Sequence, residues 1–197
     1  MVALSFRTQE ERLMNQTTAM VLTLGLVVAL AIAWMYFRHK RSKDLRTHFG
    51  PEYDRLIHEK GSRGRAEAEL GEREQRVKRL SIRPLPRDVS TRYAQKWNDQ
   101  QTRFVDEPKA AVIEADHLVE EVMKERGYPV GEFDQRAADV SVDHPRVVEN
   151  YRAAHEIAMR DQRGQASTED LRAAMIYYRD LFRELLDEPE PMGVPSR

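Results

Sequence analysis

The sequence predicts an all-α protein, one N-terminal transmembrane helix followed by a cytoplasmic helical bundle of about six helices, and three observations carry that expectation. Ala19 to Phe37 is a run of nineteen residues without a charge or an amide side chain. At ~1.5 Å rise per residue it measures about 28 Å, and Thr17 and Thr18 bring it to the ~30 Å of a bilayer's hydrocarbon. Beyond the run, apolar residues recur at spacings of three and four, the period of a helix face. Finally, no stretch joins polar and apolar alternation to the β-branched residues and turns that strands require.

The flanks of the run set its direction. Arg7 and Arg12 stand before it with Glu10 and Glu11, whereas Arg38, Lys40, Arg41, Lys43 and Arg46 follow it. The positive-inside rule then puts the C-terminal side in the cytoplasm and the N-terminus outside, at the cell membrane. Trp34, Tyr36 and Phe37 suit the headgroup level at that end. The tripeptides Ala29-Leu30-Ala31 and Ala31-Ile32-Ala33 have the form of signal-peptide cleavage sites. However, the run exceeds a signal peptide's apolar region and the segment before it is not basic, which favours an uncleaved anchor.

The chain has 197 residues and no Cys, so disulfides, thiolate metal sites and cysteine nucleophiles are excluded. Its net charge of -1 conceals a division. Residues 38–105 hold 18 basic against 10 acidic side chains, and residues 106–197 hold 12 against 21. Such asymmetry points to a charged surface or partner, or to halves that attract each other.

In order, residues 1–16 are short and polar and read as disordered, and 17–37 is the membrane helix. Residues 38–80 form a basic juxtamembrane helical region. There Leu45 and Phe49 share a face, Gly50-Pro51 breaks the chain, and Tyr53, Leu56 and Ile57 form the next stripe. From Glu59 to Leu80 the expectation is an exposed helix laced with charge pairs, because the seam Ala66, Leu70, Arg73, Val77, Leu80 is interrupted by Arg73.

Residues 81–186 are the expected bundle core. Ser81 to Pro86 breaks the chain before a helix whose face carries Val89, Tyr93, Trp97, Gln101 and Phe104. Asp106-Glu107-Pro108 opens a helix with Ala111, Val112, Ala115, Leu118, Val119, Val122 and Met123 inward, closed by Gly127. A short helix in Val130 to Val142 bears Phe133, Ala137 and Val140. Pro145 starts another, with Val147, Val148, Tyr151, Ala154, His155, Ala158 and Met159 inward. Ser167 to Asp170 is a capping signature before Leu171, Ala174, Met175, Tyr178, Leu181, Phe182 and Leu185. Residues 187–197, rich in proline, form a disordered tail.

Three segments carry a resemblance: Phe49-Gly50-Pro51-Glu52-Tyr53-Asp54-Arg55, Arg126-Gly127-Tyr128-Pro129, and Asp143-His144-Pro145 with Tyr151 and Arg152 beyond. On these the chain resembles a group of uncharacterised bacterial single-span membrane proteins. The resemblance would run from the membrane helix to the last helix. It implies a bacterial origin and brings no activity, cofactor or site.

The motifs with possible chemistry each have a plainer reading. Glu114 to His117 spells E-x-x-H, but His117 falls opposite the apolar face of its helix and no second copy exists, so no metal or other cofactor is expected. His155 lies on the inward face and reads as a core histidine satisfied by a carbonyl, a Tyr hydroxyl or a carboxylate. Asp143-His144-Pro145 reads as a helix start. Gly61 to Gly64 is no phosphate loop. The basic run Arg76, Lys78, Arg79, Arg83 and Arg87 lacks interleaved aromatics, so no nucleic acid is expected.

The functional expectation is therefore a membrane-tethered, non-enzymatic interaction or scaffold module with an unidentified protein partner and no catalytic residue. The alternative is a ligand-binding protein or enzyme with a pocket of scattered residues around His155 and Tyr151. Arg38, Lys40, Arg41, Lys43, Arg76, Lys78, Arg79 and Arg83 are the expected contacts to the membrane surface or anionic lipid. The rival account pairs Arg76 to Arg87 with acids of the distal half, such as Glu120, Glu121 and Glu125. Gly25, Ala29 and Ala33, four apart, form a small-residue stripe on which two membrane helices of a homodimer could pack.

Overall fold

A computed structural model describes residues 2–186, with the side chains of residues 2–19, 21 and 23 left outside the description. The described residues form eight α-helices and no strand: α1 (Val2–Phe49), α2 (Pro51–Lys60), α3 (Arg63–Val77), α4 (Arg87–Arg103), α5 (Pro108–Arg126), α6 (Phe133–Asp143), α7 (Val148–Gln162) and α8 (Thr168–Leu185). The all-α expectation holds, with seven helices rather than about six after α1. The expected tail, 187–197, lies outside the described residues.

The chain divides into two compact units, one up to Asp44 and one from Leu45 onward. In the first, α1 begins at Val2 and so takes in residues 2–16, which the sequence suggested would be unstructured. Its described large apolar side chains at Met20, Leu22 and from Leu24 to Phe37 are exposed, from 50% at Val28 to 75% at Met20. The transmembrane expectation gains no support at this point. Among the described residues no helix is long and apolar enough to cross a membrane. Several side chains of the expected span, 17–19, 21 and 23, lie outside the description.

The second unit has two apolar clusters. The larger gathers residues of α4, α5, α6, α7 and α8, with Tyr151, Tyr178 and Leu181 completely buried and Trp97 stacked on Phe182 at 4.8 Å between ring centroids. The smaller joins Leu45 and Phe49 to Tyr53, Leu56, Ala66, Leu70, Val77 and Val142. Helix α6 belongs to both, through Val140 in the first and Val142 in the second, and every residue from Arg136 to Val142 is buried.

Local signals explain most element ends. Gly50 takes positive φ ahead of Pro51 in the first turn of α2, and Ser167 and Asp170 form a complete capping box at α8. Gly127 ends α5 at φ 100°, and a Cβ there would lie 2.7 Å from the Ser81 carbonyl oxygen. Only glycine lets the segment after α3 lie against α5, where the Arg83 amide donates to the Arg126 carbonyl at 2.9 Å.

Some expected faces change. Helix α3 is not an exposed, charge-laced helix: Ala66, Leu70, Arg73 and Val77 are all buried. On α4 only Trp97 is fully buried, while Gln101 is exposed. On α7, Met159 points outward and Ile157 is buried instead. Asp143 and His144 end α6 rather than start α7, and they face different partners. Tyr128 donates to Asp143 at 2.6 Å, and His144 Nδ1 lies 3.3 Å from Glu184.

Candidate functional site

A heavily charged interior is built around Glu52. This residue occupies the first turn of α2, where a carboxylate meets the positive end of the helix, and it is completely buried. Arg55, one turn on, donates from Nε to Oε2 at 2.7 Å and from Nη2 to Oε1 at 2.8 Å, a two-pronged contact. Arg73 of α3 donates from Nη1 to Oε1 at 2.8 Å, and Arg152 of α7 from Nη2 to the same oxygen at 3.2 Å. One carboxylate thus meets guanidinium groups from three helices.

Burial alone would push the Glu52 carboxyl up. The hydrogen bond from Arg55, the charges of Arg152 and Arg55, and the hydrogen bond from Arg73 outweigh it and hold the group down at about 2. For Arg152, burial lowers the guanidinium from its ordinary value, with Glu52 opposing and the neighbouring cations Arg55 and Arg73 assisting. Its Nε is buried without a hydrogen-bond partner, and its second carboxylate, Asp134, is 4.0 Å away and 96% exposed. A second buried carboxylate stands beside this cluster: Asp139 of α6 accepts from Arg76 at 2.8 Å and from Gln135 at 3.0 Å.

A cavity of about 350 Å³ opens over these groups, lined by Arg55, Glu59, Lys60, Glu69, Arg73, Arg76, Asp134, Gln135, Ala138 and Arg152. Its wall carries five cations and three carboxylates. Glu52 and Asp139 are fully buried and do not line it.

None of Glu52, Arg55, Arg73, Asp139 and Arg152 was expected from the sequence as a site residue. The signal was present in the helical period. Arg73 occupies a seam position of α3, Glu52 precedes Leu56 by one turn, and Arg152 follows Val148 by one turn. Charges of opposite sign on buried faces have to pair, since an unpaired one is costly.

The expected contact residues separate. Arg38, Lys40, Arg41 and Lys43 are exposed on α1 in the first unit, and Arg38 lies over the Trp34 ring at 5.2 Å. In the second unit, Arg76 is held by Asp139, while Lys78, Arg79 and Arg83 are exposed. The rival pairing with acids of the distal half forms in part, through Arg76 and Asp139, but not with Glu120 or Glu121, which pair with Arg136 and Lys96. Gly25, Ala29 and Ala33 are exposed on one face of α1. Glu114 and His117 are exposed, so the outward direction read for His117 holds.

Tyr151 lies in the packed core, whereas His155 is half-buried and lines an opening of about 520 Å³ with Phe133, Asp134, Arg152, Glu156, Met159 and Arg163. Tyr151 is completely buried, its hydroxyl accepts from Arg136 Nε at 3.3 Å, and burial is the largest influence raising it to about 12. His155 stacks flat on Phe133 at 3.6 Å between centroids, and its Nδ1 is buried without a hydrogen-bond partner. Stacking, rather than the expected polar partner at that nitrogen, holds the ring.

Burial, aided by Arg136, lowers the His155 pKa against the opposing charges of Asp116, Asp134 and Glu120. Below the ordinary value of 6.5 the unfolded chain takes a proton that the folded chain resists. The His155 contribution is therefore complete above that pH and is lost as pH falls through the window beneath it. We expect His155→Phe, which keeps the stack, to gain stability relative to wild type between about pH 7 and pH 5. A difference in Tm that stays constant with pH would reject this assignment.

No protein-family model, curated protein or solved structure matches this chain, so the resemblance to bacterial single-span proteins gains no support from them.

Proposed function

We propose that the protein is a membrane-tethered, non-enzymatic interaction module, with α1 as its transmembrane anchor and the unit from Leu45 onward as its cytoplasmic, partner-binding domain. The observation that carries this reading is the continuous exposed apolar surface of α1. Met20, Leu22, Leu24 and Leu26 are each at least 59% exposed, and the pattern continues through Phe37. Soluble surfaces rarely leave so large an apolar patch uncovered, and lipid is the medium that satisfies every face of such a helix at once. The positive-inside rule orients it through Arg38, Lys40, Arg41 and Lys43.

Exposed Lys78, Arg79 and Arg83 supply contacts to anionic headgroups, each worth roughly 1 kcal/mol near such a surface. The stripe Gly25, Ala29, Ala33 permits two anchors to approach in a homodimer. A bacterial cell membrane is the setting that the sequence resemblance suggests. A pocket around His155 and Tyr151 has less to rest on, since Tyr151 is closed inside the core.

The test is fractionation with a topology reporter. Full-length chain fused after Arg197 to a reporter active only in the cytoplasm should be active and stay with membranes through an alkaline wash. Release by the wash, or activity of an export-dependent reporter at the same position, would reject the reading.

A further inference from the structure

We propose that the cavity walled by Arg55, Arg73, Arg76 and Arg152 binds a phosphate monoester dianion, carried either by a small soluble molecule or by a lipid headgroup. The first support is the count of donors. Glu52 Oε1 already accepts from Arg55, Arg73 and Arg152, so it has no capacity left for their remaining N–H groups. Arg152 keeps a buried Nε without a partner, and among the described residues the only other carboxylate paired with it is the solvent-exposed Asp134 at 4.0 Å. A guanidinium with spare donors, partly desolvated and beside an opening, suits a multidentate oxyanion.

The second support is the placement of charge. Three carboxylates share the wall, and each has a local role or a distant position. Glu59 accepts from Arg55 at 2.6 Å, Glu69 accepts from Arg73 at 3.2 Å, and Asp134 extends into solvent. Against them stand Arg55, Lys60, Arg73, Arg76 and Arg152, a wall surplus of two positive charges from five against three. The balancing carboxylates Glu52 and Asp139 are fully buried and stand outside the cavity wall, so a ligand meets the cations first. A dianion matches that surplus, and a cavity of about 350 Å³ holds a phosphate with a small group attached.

The test uses the full chain in neutral-detergent micelles at constant ionic strength, with chloride as the reference anion. One arm titrates inorganic phosphate and the other adds phosphatidate to the micelles, both followed by calorimetry. Saturable binding of inorganic phosphate assigns a soluble ligand, and binding of phosphatidate alone assigns a headgroup. In either arm Arg152→Gln should weaken binding roughly tenfold or more, the effect of losing charged hydrogen bonds. That loss also separates the cavity from the exposed Lys78, Arg79 and Arg83. Lys60→Gln leaves the buried network intact and should weaken binding severalfold; it decides the matter if Arg152→Gln fails to fold by circular dichroism. Absence of saturable binding in both arms, or binding by a folded variant equal to wild type, overturns the proposal. Because the phosphate arm needs no bilayer, its outcome is independent of the anchor.

Discussion

Glu52→Gln is expected to destabilise the unit from Leu45 onward by about 3 to 5 kcal/mol, the cost of leaving buried cations without their counter-charge. The substitution is nearly isosteric, so the loss reports on charge rather than volume. Arg55 retains Glu59 and Arg73 retains Glu69, but among the described residues Arg152 is left with Asp134 alone. The pH dependence gives a sharper check. Glu52 is held at about 2 in the fold against 4.5 for the ordinary group, so its contribution is present above 4.5 and disappears as pH falls toward 2. That shift corresponds to roughly 3 kcal/mol. Urea unfolding should therefore show a wide gap between wild type and variant near about pH 7 that narrows by about pH 3. A gap of the same size at both pH values would mean that the substituted amide is simply packed badly, and the electrostatic account of the cluster would fall.

The largest effect on location is expected from the double substitution Leu26→Arg with Leu30→Arg, placed one turn apart near the middle of the apolar run. An Arg at the centre of a membrane helix costs roughly 3 kcal/mol on insertion scales, and about 6 kcal/mol for two should move much of the protein out of the membrane fraction. Leu26→Ile with Leu30→Ile serves as the control, because it keeps both apolar volume and helix. If the double-Arg chain sediments with membranes after alkaline washing as fully as the control, then α1 is held by something other than lipid, and a helical partner that covers its apolar side chains becomes the better account.

How far each level of description could be read from the sequence follows from how local its causes are. The helices from α2 to α8 were legible because their signals lie within a few residues of the events they cause. Gly50-Pro51 separates α1 from α2, Gly127 ends α5, and Ser167 with Asp170 starts α8. The inward faces of α5 and α8 were legible residue by residue, since three- and four-residue spacing alone decides which side chains share a face. Helix α3 shows where this stops. Arg73 sits in a seam of small and apolar residues, and by composition alone it looks like an interruption that leaves the helix exposed. It is buried because its partner Glu52 comes from another helix, 21 residues away. Arg152 reaches the same carboxylate from 100 residues away, and Arg76 reaches Asp139 from 63.

The sequence by itself determined the helical class, most helix boundaries, the apolar stripes and the charge layout of this protein, because all of these arise from neighbours along the chain. Only the tertiary structure decided which charges are buried together and where they wall a cavity. A charged side chain carries its sign in the sequence but not its partner, and at these separations the partner is chosen by how helices pack, which no local period encodes.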